Sequence, residues 1–266
     1  MINSTDRLPR ELTEGVFWLG SCELFPFRGS VIHSGNSAFL IKGESESLLV
    51  EAGLPNDHRS MFEQLKELLE DAPPLRHIYL THQETAHAGG VGILLKLFPE
   101  ATARGNVKDY HFFFPELADR FETLECGDSI DLGGTEFLAV EPVIRDLVTT
   151  QWGFDTRSGT LFAGDGFAYA HQHASDQCGH LAEEVVELDI PDMTGLFTDQ
   201  SLAWARYHDM EPHVQRLERL VEALDAQAIA PTHGLPSNDV AAIMPRIIAG
   251  LRLSGGVGER YQGAKA

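Results

Sequence analysis

Apolar positions along this chain follow two alternating periods. Short β-branched and aromatic runs, Val16–Leu19 (VFWL), Ser37–Lys42 (SAFLIK) and Ser47–Glu51 (SLLVE), are set apart by Gly and Ser and predict a meander of antiparallel strands. His58–Leu69 then spaces Met61, Leu65, Leu68 and Leu69 by threes and fours, an amphipathic helix stopped by Pro73-Pro74. His77–Leu80 (HIYL) reads as a buried strand. Ala88–Phe98 reads as a helix despite its glycines, ended by Pro99. The second half repeats the scheme. Asp128–Val140 is a hairpin turning at Gly133-Gly134, and Thr149–Phe154 and Thr160–Ala163 are strands joined at Asp155–Gly159. Helix Val214–Leu224, strand Gln227–Ala230 and helix Asp239–Leu251 close the pattern. Between Ala170 and Gln200 the periodicity lapses into a polar stretch, expected as a surface insertion at about residues 170–200. Strands, a helix, then strands and helices again predict two packed sheets with helices outside, an α/β fold.

Composition narrows the class. In 266 residues, 20 Lys and Arg face 40 Asp and Glu, a formal charge of −20, with charged residues at 23% and hydrophobic ones at 43%. Those shares are globular, and the length suits one large domain or two small ones. Such a charge repels phosphate, and Lys and Arg are scattered singly, so neither nucleic acid nor an anionic membrane is an expected partner. Met1–Arg10 carries no apolar targeting core, and no apolar run is long enough to span a bilayer. Cys22, Cys126 and Cys178 are odd in number and far apart in sequence, with no CxxC pair, so a reducing cytoplasm is the expected location.

Candidate chemistry gathers at strand ends. The segment Tyr79–Gly90 (YLTHQETAHAGG) brings His82, Glu84 and His87 from a buried strand to a helix start. Extended backbone would aim His82 and Glu84 to one side. Imidazole and carboxylate in this arrangement suit a divalent transition metal. Taken alone, the three fit a solvated polar turn equally well. Three further apolar strands end the same way: Asp165 in LFAGDGF, His233 in QAIAPTHG, and Arg145-Asp146 in EPVIRD. A single such residue is ordinarily a cap or a satisfied core group, whereas four strand ends together favour one shared site.

With these residues in view, the chain resembles the metallo-β-lactamase superfamily along most of its length, from GVFWLGS through NSAFLI and LLVEAGL to APTHG. The resemblance implies an αββα sandwich, as a single domain over residues 1–266. The superfamily's usual HxHxDH signature here reads His82-Gln83-Glu84-Thr85-Ala86-His87. Glu in place of the second His is similar to the iron-binding branch, the flavodiiron proteins and their short oxygen-binding diiron relatives. Asp146 and Asp165, nineteen positions apart, repeat the branch's spacing between a His ligand and a bridging Asp. Ala86 stands where the branch has an Asp ligand, and Asp146 where it has a His. The resemblance thus implies a first metal on His82, Glu84, Asp146 and bridging Asp165. A weaker or absent second metal would fall on Asp165, His233 and His87. Arg145 is the candidate for anion or substrate contact. One or two transition-metal ions are expected, with iron favoured and manganese or zinc compatible with the mixed N/O set.

Three readings of function stay open. A diiron centre could bind or reduce O2 or another small oxidant, with electrons from a separate donor because no flavodoxin-like region follows before Ala266. A metal-activated water could hydrolyse a small ester, thioester or activated ether, although Ala86 lacks the carboxylate that commonly orients that water. The chain could also be a non-catalytic subunit of a hetero-oligomer. Homo- or hetero-oligomers accord with all three. His171, His173 and His180 read as incidental residues of the polar insertion, or as groups reaching the site mouth, and Cys178 among them is a candidate redox thiol. Tyr110–Phe114 (YHFFF), Phe25 and Phe27 read chiefly as core, with a pocket wall or subunit contact as the alternative. Trp204 and Tyr207 are expected on one face of a helix.

Overall fold

A computed structural model describes residues 2–3, 7–54, 58–173, 177–185 and 187–254. Among them, an eight-stranded sheet is built from β1 (Ile2–Asn3), β2 (Arg10–Thr13), β3 (Val16–Phe27), β4 (Ser30–Lys42), β5 (Ser47–Val50), β6 (Leu75–Leu80), β7 (Thr102–Gly105) and β8 (Phe121–Thr123). Its order is β1-β3-β4-β5-β6-β7-β8, with β2 paired to β3. The five-stranded second sheet comprises β9 (Ser129–Asp131), β10 (Glu136–Val140), β11 (Trp152–Asp155), β12 (Thr160–Gly164) and β13 (Ala228–Pro231), in the order β13-β12-β11-β10-β9. The helices are α1 (His58–Leu69), α2 (Thr85–Ala88), α3 (Val91–Leu97), α4 (Tyr110–Phe113), α5 (Ile190–Ser201), α6 (Glu211–Ala223) and α7 (Val240–Leu253).

Both faces of the first sheet are covered, which explains its near-continuous apolar strands. Side chains alternate between two cores. Trp18, Phe39, Ile41, Leu48, Val50 and Tyr79 point inward to meet Phe137, Trp152, Phe154 and Phe162 of the second sheet. Their neighbours Leu19, Leu40, Leu49, Ile78 and Leu80 point outward against Met61 and Leu65 of α1 and Leu94 and Leu95 of α3. Beyond the second sheet, Val214 and Leu217 of α6 and Ile243 and Ile247 of α7 join the inner core. The layers are therefore αββα, as expected. Among the described residues, no helix is long and apolar enough to cross a membrane.

Several elements depart from the sequence pattern. The strands expected at Val16–Leu19 and Ser37–Lys42 are only the inner ends of a long hairpin, which turns at Arg28-Gly29 with φ of 49° and 79°. Such a left-handed pair matches the right-handed twist of the flanking strands. The helix expected over Ala88–Phe98 is broken at Gly89-Gly90 into α2 and α3, and β11 begins at Trp152, later than expected. The stretch expected as a polar surface insertion is packed inward: Leu181, Leu188 and Ile190 enter the inner core, and His171 and Cys178 are buried. Trp204 and Tyr207 lie on a short 3-10 turn, where Trp204 packs on the core and Tyr207 is exposed.

Candidate metal centre

Parallel pairing sets the site. β5 and β6 run parallel in one sheet and β12 and β13 in the other, so their carboxyl ends deliver Glu51, Thr81-His82, Asp165 and Thr232-His233 to one edge of the sandwich. Backbone bonds tie the sheets together there: Gln151 N–H donates to Thr81 O (2.8 Å) and Ser37 N–H to Thr232 O (3.0 Å), while Thr232 N–H extends the β12–β13 pairing by donating to Gly164 O (3.0 Å). His82 and Glu84 lie in a bend beyond β6, not on extended backbone, and His87 lies on α2.

Donor atoms of His82, Glu84, Asp146 and Asp165 lie within 4.8 Å of one another, as do those of His82, His87 and Asp165. His82 Nε2 is 3.1 Å from Asp146 Oδ2, and His87 Nε2 is 3.3 Å from Asp165 Oδ1. His233 Nε2 is 3.7 Å from the same Asp165 oxygen. The structure thus brings together all six residues expected as ligands. His82 and His87 side chains are fully buried, while Glu84 is exposed at the rim.

Hydrogen bonds on the far side of each group orient it. His87 Nδ1 is 2.8 Å from Glu51 Oε1, so Nδ1–H donates to the carboxylate and Nε2 faces Asp165. His233 Nδ1–H donates to Gly35 O at 2.7 Å, which likewise leaves Nε2 facing inward. Thr150 Oγ1 donates to Asp146 Oδ1 at 2.6 Å and leaves Oδ2 for the cluster. A carboxylate or carbonyl behind each imidazole is the usual support of a metal-ligating His. Four of the inward atoms, His82 Nε2, His87 Nε2, Asp146 Oδ2 and Asp165 Oδ1, are buried without a hydrogen-bond partner. Orphaned buried atoms of this kind are costly unless a cation satisfies them.

The electrostatics point the same way. Burial would raise the Asp165 carboxyl, but His233, His87 and His82 hold it well below the usual range. Burial opposes charging of His87, yet Glu51 and Asp165 on either side lift it to about 10. His82 is pushed down to about 4 by burial and by the His87 charge. Glu84 is raised by burial and by the Asp146 and Asp165 carboxylates. A cation among these groups would take over the positive charge that His87 presents to Asp165 and relieve the crowding of acids.

Glu51 is the residue that sequence reasoning missed. It is 1% exposed, bonds Thr81, His87 and Thr232 from both sheets, and holds φ of 69°, rare for a residue with a side chain. The signal was present, because SLLVE ends an apolar strand in an acid just as LFAGD does. Arg145 is not brought to the donor cluster. Its guanidinium pairs with Glu141 and lines a surface pocket with Trp204, His208 and His213, while its carbonyl accepts from Trp204 Nε1. Beside Glu84, a cavity of about 320 Å3 is lined by Gln83, Thr85, Tyr110, Phe113 and Phe114. The aromatic run thus supplies a pocket wall: Tyr110 is buried, whereas Phe112 and Phe113 are 72% and 68% exposed.

The sandwich with a His and carboxylate cluster at the edge of its two sheets defines a metal-binding fold class. The chain belongs to the metallo-beta-lactamase superfamily, whose sequence profile matches residues 33–233. Coenzyme F420H(2) oxidase of Methanothermobacter marburgensis is 25% identical over 85% of this chain and 57% of its own length. The flavodiiron protein of Giardia intestinalis superposes with a TM-score of 0.67 at 15% identity, covering 94% of this chain and 60% of that one. Rubredoxin oxygen:oxidoreductase of Desulfovibrio gigas gives 0.66 at 12% identity, covering 90% and 60%. At such identities these structures share the fold. The chain spans about half the length of the curated relatives it matches, 40% and 57% of two coenzyme F420H(2) oxidases.

Proposed function

We propose that this chain holds a carboxylate-rich, non-haem iron centre, dinuclear about Asp165, that binds or reduces O2 or another small oxidant. The observation that carries it is the donor set: Glu84, Asp146 and Asp165 converge with His82, and their inward atoms share no thiolate. Hard oxygen donors with imidazole suit iron or manganese. His82, Glu84, Asp146 and Asp165 would hold one ion; Asp165, His87 and His233 would hold the other. Bound iron would supply one-electron redox chemistry. Similarity to an F420H(2) oxidase and to flavodiiron proteins supports the reading.

The chain's own residues do the rest. Glu51 holds His87 in one tautomer, and Gly35 does the same for His233. Tyr110, Phe113 and Phe114 wall the adjacent cavity with apolar surface, which suits a small neutral molecule and disfavours a charged one. Glu84 is shared between cavity and cluster, so it would hold its ion at the side where an incoming oxidant arrives. Electrons would come from a separate donor protein.

The test is O2 uptake by protein loaded anaerobically with Fe(II), followed on an oxygen electrode. Uptake in proportion to bound iron, abolished in Asp165→Ala, is expected. Thioester hydrolysis by zinc- or manganese-loaded protein, with no uptake by the iron form, would replace the proposal with a hydrolase. Failure to retain any metal at the cluster would leave a non-catalytic subunit.

A further inference from the structure

A second group of metal donors lies in the segment expected as an incidental polar insertion. Cys22 sits on β3 and His33 on β4, where the register pairs Leu24 with His33 and so sets Cys22 and His33 as diagonal neighbours on one face. His173 and Cys178 come from the chain beyond β12, five positions apart. That segment is fastened to β4 by an isolated bridge: His33 N–H donates to His171 O at 2.7 Å and His171 N–H to His33 O at 2.8 Å. Cysteines far apart in sequence are thereby brought together, and all four donor atoms lie within 4.8 Å of one another.

We propose that Cys22, His33, His173 and Cys178 form a structural zinc site, separate from the carboxylate centre and independent of the redox reading. Zinc–sulfur bonds of about 2.3 Å and zinc–nitrogen bonds of about 2.0–2.1 Å at tetrahedral angles place neighbouring donors roughly 3.3–3.8 Å apart. His33 Nδ1 lies 3.3 Å from Cys22 Sγ and 3.6 Å from Cys178 Sγ, both edges of such a tetrahedron. The His33 and His173 rings are 4.1 Å apart between centroids. Two thiolates with two imidazoles form the softer donor set that selects zinc, in contrast to the oxygen-rich set around Asp165. Cys22, His33 and Cys178 are buried, so this is no surface patch. His171, 1% exposed, adds a ring whose centroid is 4.7 Å from that of His173, and both His171 nitrogens lack a hydrogen-bond partner.

The site would act on the first one through the backbone. His33 is two residues from Gly35, whose carbonyl fixes His233, and Ser34 Oγ lies 3.5 Å from the same His233 nitrogen. His173 follows Asp165 by eight positions on the segment leaving β12. Zinc would clamp the β3–β4 arm to that segment and hold both flanks of the carboxylate centre. All four residues are positioning groups.

The test uses the full chain. Zinc-stripped protein carrying Asp165→Ala, which disables the carboxylate centre, is titrated with Co(II) and read by thiolate-to-cobalt absorption, a signal that the cysteine-free first site cannot give. About one thiolate-ligated cobalt per chain is expected. Cys22→Ser and Cys178→Ser should abolish the band, and Cys126→Ser should leave it. X-ray absorption of the unsubstituted zinc protein should show zinc–sulfur scattering at about 2.3 Å, a readout that needs no variant to fold. Absence of both signals would overturn the proposal. So would a Cys22–Cys178 disulfide in the protein as purified, or a cobalt band that survives both serine variants.

Discussion

Glu51 concentrates the residue-scale logic of the molecule. A left-handed backbone at a residue with a side chain costs on the order of 1–3 kcal/mol. Its carboxylate offsets that strain by accepting from Thr81, His87 and Thr232. Replacing it with Gln keeps the shape and removes the charge behind His87. Glu51→Gln is therefore expected to weaken metal binding by about 10–100-fold in a competition titration, the usual effect of losing a ligand's orienting partner. His77 offers a second test. Burial and the nearby Arg104 lower its pKa, Arg104 Nε–H donates to its Nδ1 at 3.0 Å, and Nε2 faces Glu46 at 2.8 Å, so the folded protein holds the ring neutral. A folded pKa below the unfolded one contributes stability above about pH 6.5 that is lost as pH falls, because the unfolded chain takes the proton first. The stability difference between wild type and His77→Gln, from urea unfolding, should accordingly shrink between pH 7.5 and 5. Asp165 and His233 were legible in sequence because each ends an apolar run. Glu51 obeys the same rule, but acids closing a strand are usually read as turn residues when no His lies beside them.

At the scale of elements, the β3–β4 hairpin links both proposed metal sites. Gly35 lies so close to Gly234 that a Cβ would stand 2.5 Å from the Gly234 carbonyl oxygen. Gly35→Ala should push the His233 segment away and lower metal retention severalfold after dialysis, with the circular dichroism of the fold unchanged. The outer half of this hairpin was hidden in the sequence. Ser21, Ser34 and Asn36 are buried polar residues that interrupt the apolar alternation on which strand reading depends. Helix α5 was hidden for a similar reason, since Thr194, Thr198 and Asp199 are among its buried residues. The core strands and helices α1, α6 and α7 were legible because their apolar period is uninterrupted. Cys22 and Cys178 were not legible as a ligand pair because a metal knuckle is read from local spacing, whereas here pairing across the hairpin and the bridge at His171 create the proximity.

Across the whole molecule, the charge of −20 is partly functional. Glu51, Glu84, Asp146 and Asp165 gather where the two sheets meet, so apo-protein carries acid–acid repulsion at the seam that joins its layers. Metal binding should stabilise the entire sandwich: at 100 times Kd, ligation adds about 2.7 kcal/mol. For a chain of this size that corresponds to a Tm rise of roughly 5–11 °C on loading, reversed by chelation and followed by calorimetry. The central claim is the iron centre built about Asp165, and its most direct test is iron stoichiometry after anaerobic Fe(II) loading and desalting. About two irons per chain in wild type, falling to less than half of that in Asp165→Ala while Cys126→Ser stays unchanged, is the predicted result. Iron content unaltered by Asp165→Ala, or no retained iron in wild type, would contradict it.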